Sequence, residues 1–371
     1  MKRLASALLA LLVLVLTACG SSIAPTAAPQ PTAASAATTA ATTTTASSTT
    51  TAPRAAATPA SSPAASGAKT KLTIALGYIP DIQFAPFYVA AAQGYYADEG
   101  LDVDFKQGLE TDVLKLVGTN ALSFGVASGD EVMVARSQGV PVTQVATWYQ
   151  KYPVSVVAPE KANIHQITDL KGHTVGVPGR YGATYVGLLA LLNSAGLSEK
   201  DIQLREVGFQ QVQALTQGQV DAIVGYTNNE PVQLREQGQA ITTLNLFDYV
   251  NLVSNGLVTN EQTIKGQPEL VRKVVRATLR GLQATIAQPD QAVDICIAKY
   301  IPEAAGKRAQ VRDVLMASIP LWQSQVTDQH GLGYSDPAAW TSSRDLLRKL
   351  GVLGSDIDLA QTYTNDFLPP R

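Results

Sequence analysis

The segment KLTIALGYIPDIQFAPFYVA, residues 71–90, carries the strongest structural signals in the sequence. Its first part, from Leu72 to Tyr78, is an apolar run with the length of a buried strand. Pro80 ends that run, because proline cannot continue a central strand. The residues that follow, from Phe84 to Gln93, predict an amphipathic helix that stops at Gly94. The segment therefore predicts a strand, a polar turn and a helix.

The turn between this strand and this helix is a candidate ligand site. Open α/β sheets bind ligands at the carboxyl ends of their strands, where helix N-termini face a crevice. We therefore expect Tyr78, Asp81 and Phe84 to line such a crevice. A structural interpretation is also open, in which Tyr78 belongs to the core and Asp81 only caps the helix.

Short apolar strands alternate with helical segments along the rest of the chain. This alternation is typical of α/β proteins with right-handed crossovers between parallel strands. About 300 residues follow Lys69, which is enough for two lobes. We assign residues 70–157 and 255–371 to lobe 1 and residues 158–254 to lobe 2, with crossings at Val157–Ala158 and at Asn251–Ser254.

The opening segment, together with GYY at 94–96 and EGLDV at 99–103, carries a family resemblance. It resembles the ABC-transporter substrate-binding proteins of the type that binds thiamine-pyrimidine precursors, to which riboflavin-binding members are similar. The resemblance covers about residues 70–330. It implies a periplasmic-binding-protein type II fold: two doubly wound α/β lobes with a hinge and a ligand cleft between them. It also implies a capture protein that closes on a small vitamin and delivers it to an ABC permease and its ATPase.

The N-terminus has the pattern of a bacterial lipoprotein signal. Lys2-Arg3 precedes an apolar run from Leu4 to Leu16, which has the length of a signal peptide and is too short for a stable membrane span. The tetrapeptide LTAC then ends at Cys19, the residue that becomes acylated in such proteins. We predict a signal peptide over residues 1–18 and a lipid anchor at Cys19, on the extracytoplasmic side of the cell membrane. The alternative is an ordinary secreted protein in which this cysteine occurs by chance.

Composition separates a tether from the folded part. Residues 20–68 are almost entirely Ala, Thr, Ser and Pro, which cannot bury enough apolar surface to fold, so residues 19–69 are predicted to be a disordered tether. The chain has 28 Lys and Arg residues against 30 Asp and Glu without a basic run, which argues against nucleic acid as a partner. Apart from Cys19 the only cysteine is Cys296, which excludes an intramolecular disulfide and a cysteine-based metal site. We expect a monomer without a metal.

Three further segments that follow predicted strands carry candidate site residues. Ser128 and Gly129 stand where a strand leads into a helix, and free backbone N–H groups at such a point bind carbonyls or anions; helix capping is an equal alternative. Trp148 and Tyr149 belong to an aromatic cluster suited to stacking on a flat heterocycle, with core filling as the alternative. Tyr181 lies in a glycine-containing loop before a predicted helix.

The run GYTNNEP at 225–231 is the densest set of donors and acceptors at a strand end. It supplies Tyr226, Asn228, Asn229 and Glu230 as candidate ligand contacts. In the pyrimidine-binding relatives, a carboxylate at the matching position accepts a hydrogen bond from the ligand's ring, and the resemblance implies this role for Glu230. The alternative is an exposed helix cap.

Riboflavin, as a transported ligand and not a cofactor, fits the aromatic residues and the opening segment. A thiamine pyrimidine precursor, hydroxymethyl- or formylamino-pyrimidine, fits Asn229 and Glu230. A sulfonate or nitrate is an anion and would require a stronger cationic site than this sequence offers. Only two basic residues, Lys151 and Arg180, fall in candidate loops.

An enzyme is the rival from another functional class. Some relatives of this fold make the thiamine pyrimidine, consuming an active-site histidine with help from a cysteine-rich iron site. The histidines here are His165, His173 and His330, none of which follows a predicted strand end, and there is no cysteine cluster. We therefore assign no catalytic residues and do not expect an enzyme.

Overall fold

The computed structural model describes residues 68–370. The predicted signal peptide, Cys19 and nearly all of the predicted tether lie outside the described residues. The strands of the described part are β1 Thr70–Leu76, β2 Leu101–Gln107, β3 Phe124–Ser128, β4 Val142–Thr147, β5 Val154–Pro159, β6 Thr174–Val177, β7 Gln203–Glu206, β8 Ala222–Tyr226, β9 Ile241–Asn245 and β10 Asn255–Asn260. Its helices are α1 Ala85–Ala92, α2 Tyr95–Asp98, α3 Glu110–Gly118, α4 Gly129–Ser137, α5 Gly182–Ser194, α6 Gln211–Thr216, α7 Glu230–Glu236, α8 Glu261–Gly266, α9 Pro268–Ala287, α10 Pro289–Lys299, α11 Arg308–Ser318, α12 Gln325–His330, α13 Pro337–Lys349 and α14 Leu359–Thr362.

The strands form two five-stranded sheets with the same plan. The first has the order β2-β1-β3-β10-β4 and the second the order β7-β6-β8-β5-β9. We call the first sheet with its helices α1–α4 and α8–α14 lobe 1, and the second sheet with α5–α7 lobe 2. In each lobe three strands run parallel, joined by helical crossovers. This arrangement confirms the predicted fold of two α/β lobes.

One strand in each sheet departs from the parallel pattern that the alternation predicts. β10 pairs antiparallel with β3 and β4, and β5 pairs antiparallel with β8 and β9. Both are the strands through which the chain arrives from the other sheet. A strand that arrives in this way has no helical crossover to bring it round to a parallel start.

The first passage between the sheets lies earlier than the sequence predicts. The chain leaves the first sheet after Thr147 and joins the second at Val154, so all of β5 belongs to lobe 2 and the expected crossing at Val157–Ala158 is corrected to residues 148–153. β5 lies between two other strands and is apolar on both faces, so its sequence contains no sign of the sheet it joins. The second passage, between β9 and β10, contains the predicted crossing at 251–254.

Lobe 1 is stabilised by the close approach of α9 to α1. The apolar face of α9 is buried through Val274, Thr278 and Leu282. At Gly281 the two helices come so near that an added Cβ would overlap the carbonyl oxygen of Pro86, so only glycine fits this position.

Among the described residues, no helix combines the length and the apolar character that crossing a bilayer requires.

Candidate ligand-binding cleft

A cleft opens between the two lobes at the carboxyl ends of β1 and β8. It encloses about 780 Å³, including the part open to solvent. The predicted residues that line it are Tyr78, Phe84, Trp148, Tyr149, Tyr181, Tyr226, Asn229 and Glu230.

Aromatic rings form much of the cleft wall. Trp148 packs on Tyr149 with ring centroids 4.6 Å apart and on Phe84 at 5.8 Å. Both Trp148 and Tyr149 are also buried members of the lobe 1 core, so the core and cleft interpretations of these two residues hold together. Across the cleft, Phe209 of lobe 2 meets Tyr78 of lobe 1 edge to face at 4.9 Å. Phe209 was not among the predicted site residues, because it stands isolated after β7.

Glu230 is a buried carboxyl in lobe 2. It begins α7, is 5 % exposed, and its Oε2 accepts a hydrogen bond from the backbone N–H of Tyr226 at 2.7 Å. The exposed helix cap considered above is therefore wrong for this residue. An added Cβ at Gly225 would lie 2.6 Å from Glu230 Cδ, so this glycine makes room for the carboxyl. Burial raises the pKa of Glu230 to about 7, because no cation offsets the loss of water.

Glu110, at the start of α3, is the corresponding carboxyl in lobe 1. It lines the cleft, and its Oε1 accepts from Asn255 Nδ2 at 2.7 Å while its Oε2 accepts from Ser128 Oγ at 2.9 Å. Burial and the nearby acids Glu131 and Asp130 hold the pKa of Glu110 well above its ordinary value. Glu110 was not among the predicted site residues, although it follows β2 in the same strand-end pattern as the residues that were predicted.

Ser128 and Gly129 support the cleft from behind and are not part of its lining. Ser128 orients Glu110 through the hydrogen bond just described. Gly129 N–H donates to Ser254 O at 3.1 Å, and an added Cβ there would lie 2.6 Å from Val253 Cγ1. Gly129 therefore allows the first turn of α4 to pack against the second passage between the sheets.

Asp81 and Asn228 also lie outside the lining. Asp81 Oδ1 accepts from the backbone N–H of Gln83 at 2.9 Å, so it caps the short helical turn before α1, as the structural interpretation proposed. Asn228, fully buried in lobe 2, donates through Nδ2 to Ser318 Oγ at 2.7 Å, Gln83 Oε1 at 3.0 Å and Tyr149 OH at 3.2 Å. It connects the lobes across their interface.

The cleft is poor in positive charge. No Lys, Arg or His is among the residues that line it. Arg180 pairs with Glu199 and Glu206 outside the cleft, and Lys151 lies over the Phe247 ring. In the described part of the chain, no group of His, Cys, Asp and Glu side chains is arranged to hold a metal ion. The arrangement is thus suited to a flat ligand that is neutral or rich in hydrogen-bond donors.

Three known proteins similar in sequence place this geometry in context. The riboflavin-binding protein RibY of Chloroflexus aurantiacus is 44% identical over 322 residues, which cover 84% of this chain and 92% of that protein. A 4-amino-5-hydroxymethyl-2-methylpyrimidine phosphate synthase of Legionella pneumophila is 25% identical, covering 82% and 95%. The formylaminopyrimidine-binding protein of Halalkalibacterium halodurans is 30% identical, covering 60% and 69%.

Solved structures agree on the fold. The periplasmic aliphatic sulphonate binding protein SsuA of Escherichia coli superposes with a TM-score of 0.64 at 16% identity, covering 79% of this chain and 96% of that one. The chain therefore has the fold of the periplasmic substrate-binding proteins. The family model described as NMT1/THI5 like matches residues 81–292, which include lobe 2 and part of lobe 1. With this match and a relative at 44% identity along most of both chains, the chain belongs to the NMT1/THI5-like family.

Proposed function

We propose that this protein is the substrate-binding component of an ABC importer and that its ligand is riboflavin. The observation that carries the proposal is an aromatic cleft that holds a carboxyl group on each lobe and no cation. The similarity to a riboflavin-binding protein along 92% of that protein's length supports the same ligand. Closure of the lobes around riboflavin would present the loaded protein to an ABC permease and its ATPase.

Riboflavin offers what such a cleft can bind. Its flat ring system would stack on the aromatic walls formed by Trp148, Tyr149, Tyr78 and Phe209. Its ring N–H would donate to the carboxyl of Glu230. Its hydroxyl-bearing side chain would be satisfied by polar groups of the cleft such as those of Glu110.

The second candidate ligand is a thiamine pyrimidine precursor. The similarity to a formylaminopyrimidine-binding protein favours it, and the buried Glu230 would accept from an aminopyrimidine equally well. A single pyrimidine ring would cover less of the aromatic wall than the three fused rings of riboflavin. A sulfonate or nitrate is disfavoured, because an anion would meet carboxyl groups and no basic side chain.

A fluorescence titration tests the ligand. The fluorescence of riboflavin should be quenched when it binds to ligand-free protein, and the titration should give a dissociation constant in the micromolar range or below. Hydroxymethyl-pyrimidine should compete poorly with riboflavin. Phe209→Ala should weaken riboflavin binding about threefold to tenfold through lost stacking. Tyr249→Ala serves as the matched control, because Tyr249 is also an exposed aromatic of lobe 2 but is not part of the cleft.

The outcome distinguishes the two ligands. If the pyrimidine binds tightly and riboflavin leaves the tryptophan fluorescence of the protein unchanged, the ligand is the thiamine pyrimidine precursor and not riboflavin. Loss of affinity that is equal in the Phe209 and Tyr249 variants would argue against the cleft as the site.

The proposal includes a membrane anchor. Cys19 would carry lipid after removal of residues 1–18, and residues 19–69 would tether the lobes on the extracytoplasmic side of the cell membrane. One acyl chain binds a bilayer only marginally, so stable anchoring requires more than one chain on this cysteine. The anchor would keep the protein close to its permease.

A further inference from the structure

Helix α5 begins at the cleft. Its first residues, Gly182, Ala183 and Thr184, all line it, and the helix is 13 residues long. The first N–H groups of a helix have no partner within it, and together with the helix dipole they make an anion site. Tyr181, the residue before the helix, contributes no side-chain cap. A ligand phosphate that entered the cleft would find its most favourable position here.

That position is occupied by a carboxyl group of the other lobe. Glu131, in the first turn of α4, is 6 % exposed, and its Oε1 accepts from the Gly182 N–H at 3.2 Å. Asp130 beside it is 1 % exposed. Burial, and after it the neighbouring charge of Asp130, raises the pKa of Glu131 to about 8, and burial raises the pKa of Asp130 to about 6. The helix end thus already holds an acid.

The cleft lining offers a phosphate no basic side chain. Glu110 of lobe 1 and Glu230 of lobe 2 both line it, and no Lys, Arg or His does. The basic residue nearest to α5 in sequence, Arg180, is paired with Glu199 and Glu206. A phosphate monoester would therefore meet carboxyl groups on both sides and at the helix end.

We propose that Glu131, together with Glu110 and Glu230, makes the cleft select the unphosphorylated form of its ligand and reject the phosphate monoester. This inference rests on the proposed function, because it takes the cleft to be the ligand site. A phosphate monoester carries a charge of about −1.5 to −2 near neutral pH. Above pH 8, where the carboxyls of Glu131 and Glu230, with pKa values of about 8 and about 7, are mainly charged, placing the phosphate against them should lower affinity about a hundredfold or more. A phosphorylated vitamin would first have to be hydrolysed, with release of inorganic phosphate, before capture.

The test compares riboflavin with riboflavin 5′-phosphate on the same protein at pH 8.5. Wild-type protein should bind the phosphate about a hundredfold more weakly. Glu131→Gln keeps an acceptor for the Gly182 N–H but removes the charge, so the ratio of the two dissociation constants should fall several-fold. Glu131→Ala also frees the helix end, and the ratio should fall about tenfold or more. Because both ligands require the same closure of the lobes, the ratio cancels any effect of these variants on closure.

Glu160→Ala is the control, because Glu160 is an exposed acid of lobe 2 away from the cleft, and its ratio should equal that of the wild type. Binding of riboflavin 5′-phosphate within tenfold of riboflavin would overturn the inference and leave the proposed function standing. A ratio unchanged in both Glu131 variants would remove Glu131 from the selection. If neither flavin binds, the assignment of riboflavin fails. The inference is then tested with hydroxymethyl-pyrimidine and its phosphate, by the same ratio of dissociation constants. If neither pair binds, the function and the inference fail together.

Discussion

Replacement of Asn228 by alanine should weaken ligand binding although this side chain does not line the cleft. Asn228 belongs to lobe 2 and is fully buried. Two of the acceptors of its Nδ2, Gln83 Oε1 and Ser318 Oγ, belong to lobe 1, and the third, Tyr149 OH, belongs to the first passage between the sheets. Because the bonds to Gln83 and Ser318 join the two lobes, we expect them to stabilise the closed state.

The hydrogen-bond geometry sets the size of the effect. The amide has two hydrogens for three acceptors, so Asn228→Ala removes the equivalent of two buried hydrogen bonds. Each contributes about 0.5–1.5 kcal/mol net, which gives about 1–3 kcal/mol for the closed state. Ser318 Oγ still donates to Val314 O at 2.7 Å and Tyr149 OH to Gln83 Oε1 at 3.3 Å, so the loss is not larger. A ligand that binds by closing the lobes should therefore lose affinity about tenfold to a hundredfold.

Two measurements check this expectation. The dissociation constant for riboflavin should rise in Asn228→Ala, and small-angle scattering should show incomplete compaction at a ligand concentration that closes the wild type. Asn245→Ala is the matched control, because the Asn245 amide donates only to Asp248 within lobe 2, at 3.1 Å. A dissociation constant within twofold of the wild type, in a variant with a normal circular dichroism spectrum, would refute the role of Asn228 in closure.

Three further predictions follow from single residues. Glu230→Gln should weaken ligand binding about tenfold to a hundredfold by removing a charged acceptor. Because burial raises the pKa of Glu230 from 4.5 to about 7, the wild type loses up to about 3 kcal/mol of stability as pH rises from about 4.5 to about 7, so the ligand-free variant should melt higher than wild type at pH 8 and equally at pH 4; an equal difference at both pH values would contradict the assignment. Cys19→Ser should release the protein from membranes, and a variant that stays membrane-bound after a high-salt wash with normal processing would exclude the anchor. Gly281→Ala should lower the free energy of unfolding by about 1–3 kcal/mol, because its Cβ would overlap the backbone of α1, whereas Gly306→Ala should not, because the space around Gly306 is open. Equal stability of the two variants in chemical denaturation would disprove the packing argument.

The local pattern of the chain was sufficient for the elements and for the location of the cleft. Leu72 to Tyr78 as a strand and the helix up to Gly94 differ from β1 and α1 by one or two residues at their ends. The two-lobe fold followed from the alternation and from the family resemblance, and the structure confirms it. Because ligands gather where parallel strands end, residues such as Tyr78, Tyr226 and Glu230 could be selected from strand ends alone.

The same strand-end rule does not tell which side chain faces the ligand and which faces the other lobe. Ser128 and Asn228 stand at strand ends, yet Ser128 orients Glu110 and Asn228 joins the lobes. Their roles depend on partners far away in sequence: Asn228 is 145 residues from Gln83.

Only the tertiary structure brought the acids together. Glu110 receives its hydrogen bond from Asn255, 145 residues along the chain, and Glu131 meets Gly182, 51 residues away in the other lobe. Strand β5 shows the same limit, since its apolar sequence suits either sheet. Periodicity and turn residues report only on a chain's own neighbours within a few positions, whereas the charge and polarity of the cleft arise from segments that meet when the two sheets come together.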